Sequence, residues 1–149
     1  MTITFKVIAP KKLDSKVFEK AFMDASKEMA GEVHKDFNAV TEKWHDTIAF
    51  EEKVVETSQG IEVSVMTSDK IFKYYDQGNG GPQRIIRPTH SSVLHWVDKN
   101  TGEEFFRKWV HGYEGRKAVD KIEKIWLKKA PILFNKAMAE AVSKSGHKI

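Results

Sequence analysis

The sequence contains no cysteine, which excludes disulfides, thiol nucleophiles and cysteine-ligated zinc. It has only 4 prolines and 9 glycines, too few for a linker-like or low-complexity chain. No stretch approaches the roughly 18 consecutive apolar residues of a membrane span. The opening MTITFKVIAP lacks the apolar core of a signal peptide. These absences predict a soluble protein, cytoplasmic at synthesis, with no membrane partner. Arginine is also scarce. Arg84, Arg87, Arg107 and Arg116 are the whole set, and all fall between positions 84 and 116.

What is present is large and apolar: 9 Phe, 4 Trp and 3 Tyr in 149 residues, enough for one domain with a substantial core. The net charge of +4 hides a division. Residues 1–76 carry 11 cations and 14 acids, whereas residues 77–149 carry 14 cations and 7 acids. Such a split fits a surface that meets nucleic acid or an acidic protein face; the plainer reading is that lysines solvate the C-terminal helices.

Residues 3–8 (ITFKVI) are apolar and β-branched and read as a first strand ended by Pro10. Asp14 or Ser15 supplies a helix N-cap. Apolar residues then recur at Leu13, Val17, Ala21, Ala25, Met29, Val33, Phe37, Val40 and Trp44. A step of four outruns the 3.6-residue turn, so this stripe winds around the helix. Either Gly31 breaks the helix, or the far end packs on something else, such as a neighbouring subunit; the second reading is preferred. Residues 47–57 and 61–67 alternate as a hairpin around Ser58-Gln59-Gly60. Residues 69–76 predict a short helix, and Gly78-Asn79-Gly80-Gly81-Pro82 an exposed, mobile loop. Strands are predicted at 85–86, 93–97 and, after a turn at Asn100-Thr101-Gly102, at 104–111. The rest is helical to Ser143, with Pro131 starting a second helix or kinking a continuous one, and Ser145-Gly146 as the stop. The whole reads as one α+β domain, its long N-terminal helix and C-terminal helices packed on a mostly antiparallel sheet. Residues 1–115 form its core and residues 116–149 a helical C-terminal arm.

No constellation of catalytic residues emerges. The histidines include no i, i+4 pair and no HExxH, so no metal site is predicted; His95 and His111 are placed to meet across the second hairpin, or to sit separately at strand edges. Glu51/Glu52 and Glu103/Glu104 are adjacent, so in strands they point to opposite faces. Ser91-Ser92 has no nucleophile elbow, and the glycines at 78–81 lack the Gly-Lys-Ser/Thr of a phosphate loop. The chain is therefore expected to be non-enzymatic and without a cofactor. Arg84, Arg87, His90, Arg107, Lys108, His111, Arg116 and Lys117 are interleaved with Trp96, Trp109 and Tyr113, a mixture that suits phosphate and base contacts. Both tryptophans also fit inward-pointing strand positions.

The order of elements carries a likeness. A long helix ends near Trp44, a hairpin contains Gly60, and Tyr74–Asn79 reads YYDQGN. Arg84–His90 (RIIRPTH), Leu94-His-Trp, then Trp109-Val-His-Gly-Tyr-Glu-Gly and a basic helix follow. This resembles the tail-completion (minor tail, neck) protein family of long-tailed bacteriophages over about residues 13–125. Gly78-Asn79 takes the place of the family's G-T loop, Ile86-Arg87-Pro88-Thr89 that of its proline strand, and Val110-His111-Gly112 the start of its last element. Asn79, Thr89 and Tyr113 differ from the family pattern.

The resemblance implies a structural virion protein at the head-proximal end of the tail, made in the host cytoplasm. It would form a homo-oligomeric ring, six-fold in the virion, between the tail tube or terminator and the head-connector proteins, with DNA passing through the lumen. Arg84, Arg87, Arg107, Lys108 and Arg116 are then candidate subunit-interface or nucleic-acid contacts, and Gly78, Asn79, Gly80, Gly81 and Pro82 a loop ordered on assembly. The acidic N-terminal helix of one subunit would meet the basic C-terminal half of the next. The alternative is a small basic nucleic-acid-binding protein or RNA-cleaving toxin using His and Arg within 84–116.

Overall fold

A computed structural model describes residues 1–8 and 16–145. The proposed N-cap residues Asp14 and Ser15, Leu13 at the head of the stripe, Pro10 and Gly146 lie outside the described residues. The fold is α+β, as the sequence predicts. A three-stranded antiparallel sheet has the order β1-β3-β2, with β1 Thr2–Val7, β2 Glu51–Thr57 and β3 Gly60–Met66. Two long helices, α1 (Lys16–Thr41) and α3 (Ala118–Lys144), pack along each other, and α1 also lies on the sheet. A short helix α2 (Lys70–Gln77) closes the core. Four short strands fill the region between α2 and α3: β4 Ile85–Ile86, β5 Leu94–Val97, β6 Glu104–Arg107 and β7 Val110–His111.

Strand alternation sets the faces. Ile3, Phe5 and Val7 of β1 stand opposite Val65, Val63 and Ile61 of β3 and point at the helices. Thr4 and Ser64 share the other face and hydrogen bond through their hydroxyls at 3.2 Å. The 47–57 strand expected from sequence starts at Glu51, because the ladder ends at Glu51↔Met66. Past that point the Thr67 amide donates to the Met1 carbonyl at 2.9 Å. Ile48 and Phe50 instead enter the core from an irregular lead-in.

The stripe on α1 winds, as its spacing of four dictates, but its far end needs no neighbouring subunit. Met29, Val33 and Phe37 are covered by Ile48, Phe50, Phe72 and Trp126 of the same chain. Phe22 and Ala30 are covered by Ile61, Val63 and Phe134. Gly31 does not interrupt the helix. α3 also runs unbroken through Pro131. Through Ala118, Ile122 and Trp126 it belongs to the core rather than forming a separate arm. The Trp126 indole nitrogen donates to Asp36 of α1 at 2.7 Å, so the two helices are joined by a polar contact as well as by burial.

Phe72 is the hub of the core, fully buried and ringed by Phe37, Phe50, Trp44 and Tyr75 at centroid distances of 5.7, 5.1, 6.2 and 6.3 Å. Its helix is set by Asp69, whose carboxylate accepts the amides of Ile71 at 2.7 Å and Phe72 at 3.2 Å. Truncation to Phe72→Ala removes the ring that all four neighbours share. It is expected to cost about 3–5 kcal/mol of unfolding free energy, read from urea denaturation.

Candidate functional site

The region carrying the candidate residues leaves the body at Gly78 and returns at Glu114. Its base is a tight crossing. Gly78 bridges Glu114, and its φ of 76° is the left-handed conformation that favours glycine. A Cβ on Gly115 would overlap the carbonyl oxygen of Asp76, so nothing larger fits there. Asp76 is buried at the end of α2 and serves both strands of the crossing. Its carbonyl accepts the Lys117 amide at 3.0 Å, and its carboxylate accepts the Val119 amide at 2.7 Å. Asp76 therefore caps α3 from another helix. The residue at the N-cap position, Lys117, has φ 54° and makes no side-chain cap.

Between Asn79 and Glu114 the only buried residue is Gly112. The segment is an extension built on two small antiparallel ribbons, β4 with β7 and β5 with β6. The strand expected over 104–111 is thus two strands with different partners. Arg107↔Leu94 ends the β5–β6 ladder, while His111↔Ile85 and Val110↔Ile86 make the other.

The sequence predicts an exposed, mobile loop at 78–82. It is instead bonded to the returning strand: the amides of Asn79 and Gly81 donate to the Tyr113 carbonyl, and the Asn79 side-chain oxygen accepts the Tyr113 amide at 2.7 Å. Arg84 belongs to this loop, its guanidinium donating to the Asn79 carbonyl at 2.7 Å. Arg107 donates to the Phe106 carbonyl at 2.8 Å and lies 5.9 Å from the Phe105 ring centroid. Arg87, Lys108 and Arg116 are exposed. None of the five candidates forms an ion pair among the described residues. They are spread over the extension rather than gathered into one pocket: Arg84 and Arg87 flank β4, Arg107 ends β6, Lys108 links β6 to β7, and Arg116 stands at the base.

The tryptophans are not core residues. Trp96 is 41% exposed and Trp109 49% exposed. Trp96 stacks on Phe105 across the β5–β6 ribbon at 5.4 Å, while His95 stacks on Phe106 on the opposite face at 4.5 Å. His95 also pairs with Glu104 at 3.2 Å. His95 and His111 thus do not meet across a hairpin; His111 pairs with β4 and packs edge-on to Trp109. Leu94, Trp96, Phe105 and Arg107 share one side of the ribbon. On the other side His95, Val97, Glu104 and Phe106 are all exposed.

Sequence reasoning missed two contacts. One is the Asp76 cap, although a helix opening with Arg116-Lys117 and no Ser, Thr, Asp or Asn at its head signals a cap borrowed from elsewhere. The other is an ion pair between Lys99, in the turn joining β5 to β6, and Asp46 just past α1, at 2.6 Å. It ties the tip of the ribbon back to the body.

Among the described residues no group of three or more His, Cys, Asp or Glu side chains could hold a metal ion, and no helix is long and apolar enough to cross a membrane. Compared with known protein families, curated proteins and solved structures, the chain matches none.

Two predictions follow from the two ties of the extension. Asp76→Ala leaves the first turn of α3 uncapped and is expected to cost about 1–2 kcal/mol in urea unfolding, with Asp76→Asn, which keeps an acceptor, costing less. The hydrogen bond from Lys99 holds the Asp46 carboxyl below the usual carboxylate range, with the charges of Lys99 and His45 adding to it. A carboxylate whose folded pKa is depressed contributes stability above its unfolded value and loses it as pH falls through the folded one. Protection of the amides at 98–103, measured as the ratio of intrinsic to observed exchange rate, is therefore expected to fall below about pH 4, and in Lys99→Ala to be low already at neutral pH.

Proposed function

We propose that the chain is a non-enzymatic structural subunit of a phage virion. In this reading it acts at the head-proximal end of the tail, completing the tail and helping to join it to the capsid connector as a ring through which DNA passes. One observation carries the reading: the β5–β6 ribbon has a fully exposed face and stands outside the core of its own chain. A lone two-stranded ribbon in water is marginal, so this one is suited to being covered by another subunit. Exposed Trp96, Phe106 and Trp109 supply apolar contact area, and the unpaired cations Arg87, Lys108 and Arg116 supply a charged rim. The order of helix, hairpin, aromatic segment and basic helix supports the same assignment by its resemblance to tail-completion proteins.

Exposed tryptophans beside unpaired arginines also favour a second reading, a small nucleic-acid-binding protein. Salt separates the two. Steeply salt-dependent binding of duplex DNA or RNA by the free chain would support the second, since released counterions dominate such binding.

Quantitative mass spectrometry of purified phage particles tests the first reading. A few copies per particle are expected, and particles made without this chain should have tails that form but fail to join heads. Absence from the particle overturns the proposal. Arg107→Glu with Lys108→Glu is expected to block ring assembly while leaving the circular dichroism of the folded monomer unchanged. Rings formed normally by that variant would remove the extension from the interface.

A further inference from the structure

The extension is not the only unanswered charge on the molecule. On α3, positions 121, 124, 125, 128, 129, 132 and 136 recur at steps of three and four, so they share one side of the helix. All seven are exposed, and they are five lysines and two isoleucines. The only acid between Lys121 and Lys136 is Glu123, spaced two from both Lys121 and Ile125 and so off this side. Asp120 and Glu140 stand just beyond the two ends of the run, and Lys136 shares a groove with Asp24 and Glu28 of α1, so the excess of cations is centred on Lys121 to Lys129. None of the five lysines forms an ion pair among the described residues. Lys124 and Lys128, at i and i+4, repel each other, a cost that an acidic partner would relieve. The stripe runs about 22 Å along the axis. At its centre Ile125 is 46% and Ile132 71% exposed. A phosphate backbone offers nothing apolar to cover them, whereas a protein face does.

The same chain presents such a face at its other side. α3 lies along α1 and reaches β1, while β2 is the opposite edge of the sheet. Among the described residues no strand pairs with the outer edge of β2. An open edge is a template for association, and covering it with a helix is one way proteins close it. β2 carries three glutamates against one lysine. Among the described residues Glu51 and Glu56 are exposed and form no ion pair. Alternation puts Glu51, Lys53 and Val55 on the outer face, with Glu62 of β3 opposite Val55, and Glu52, Val54 and Glu56 on the helix face, so the edge offers glutamates on both of its sides.

We infer that the lysine stripe of α3 in one copy docks on the acidic β2 edge of a second copy. The two patches differ and lie on opposite sides of one subunit, so the contact is heterologous and propagates into a ring or a filament. The inference rests on the ring reading given above and adds to the extension a second pair of surfaces through which neighbouring subunits meet. It is nevertheless tested on the purified chain alone, so absence from phage particles would overturn the virion role without touching it.

The test is sedimentation velocity on two charge-swapped variants. Lys121→Glu with Lys124→Glu and Lys128→Glu, which turns the stripe net acidic, and separately Glu51→Lys with Glu56→Lys, should each weaken self-association by about tenfold or more. All five positions are exposed and form no ion pair among the described residues, so the helical circular dichroism should not change. Mixing the two variants should restore assembly, because each swapped stripe then finds an oppositely charged edge. A parent chain that stays monomeric at all concentrations overturns the inference. So does unchanged assembly of either variant, or a mixture that stays apart. Loss of duplex DNA retardation in the lysine variant with self-association unchanged would assign the stripe to nucleic acid instead.

Discussion

The carboxylate of Asp76 holds the rest in place. α3 opens with two cations at the positive end of its dipole and has no cap of its own, an arrangement that opposes helix formation there. Asp120 supplies an acid in the first turn, and the buried carboxylate from α2 supplies the missing acceptor. That one contact fixes where α3 starts, and α3 then delivers Ala118, Ile122 and Trp126 to the core around Phe72. It also closes the extension at its base, since the backbone that leaves α2 at Gly78 must pass the backbone entering α3 at Gly115 without a side chain between them. Body and extension are thus coupled through a crossing only a few residues wide.

The core explains why the extension can be so poorly buried. The aromatic cluster at Phe72 and the smaller cluster of Phe22, Ile61 and Val63 lie between the two long helices and the three-stranded sheet. Large side chains buried there are worth roughly 1.5–3 kcal/mol each, and none of residues 79–114 belongs to either cluster. Those residues hold their shape through backbone pairing, cross-strand stacking and the Lys99 tether, all of which work at the surface. Such local ties preserve a loose element's geometry while leaving its faces open.

Local pattern was legible in the sequence wherever one short-range rule decides the outcome. Period-two alternation around Gly60 gave the hairpin, and residues 69–76 read as the short helix α2. The winding of the α1 stripe was also readable, because a spacing of four fixes it geometrically. What covers that stripe was not, since the covering residues Phe72 and Trp126 arrive from far along the chain. Trp96 and Trp109 misled for a related reason: alternation tells which side chains share a face but not whether any layer lies on it. The division of 104–111 into two strands was hidden because nothing local records a change of pairing partner from β5 to β4. Of the candidate residues, clustering in sequence did not become a cluster in space. Arg84 is committed to its own loop, while Arg87, Lys108 and Arg116 remain available.

The division of charge at residue 76 has a structural meaning that the count alone lacks. Residue 76 is where the chain enters the crossing, so everything before it builds the sheet, α1 and α2, and everything after it builds the extension and α3. An asymmetry along the sequence thereby becomes an asymmetry across the molecule, with the acidic β2 edge on one side and the lysine stripe of α3 on the other. A chain that only needed solubility would gain more from mixing the signs on each face, because like charges side by side on one helix repel. Keeping them apart makes sense when each face is completed by the opposite one on a neighbour. In the docking proposed above, the same separation disfavours symmetric pairing of like faces and favours head-to-tail addition.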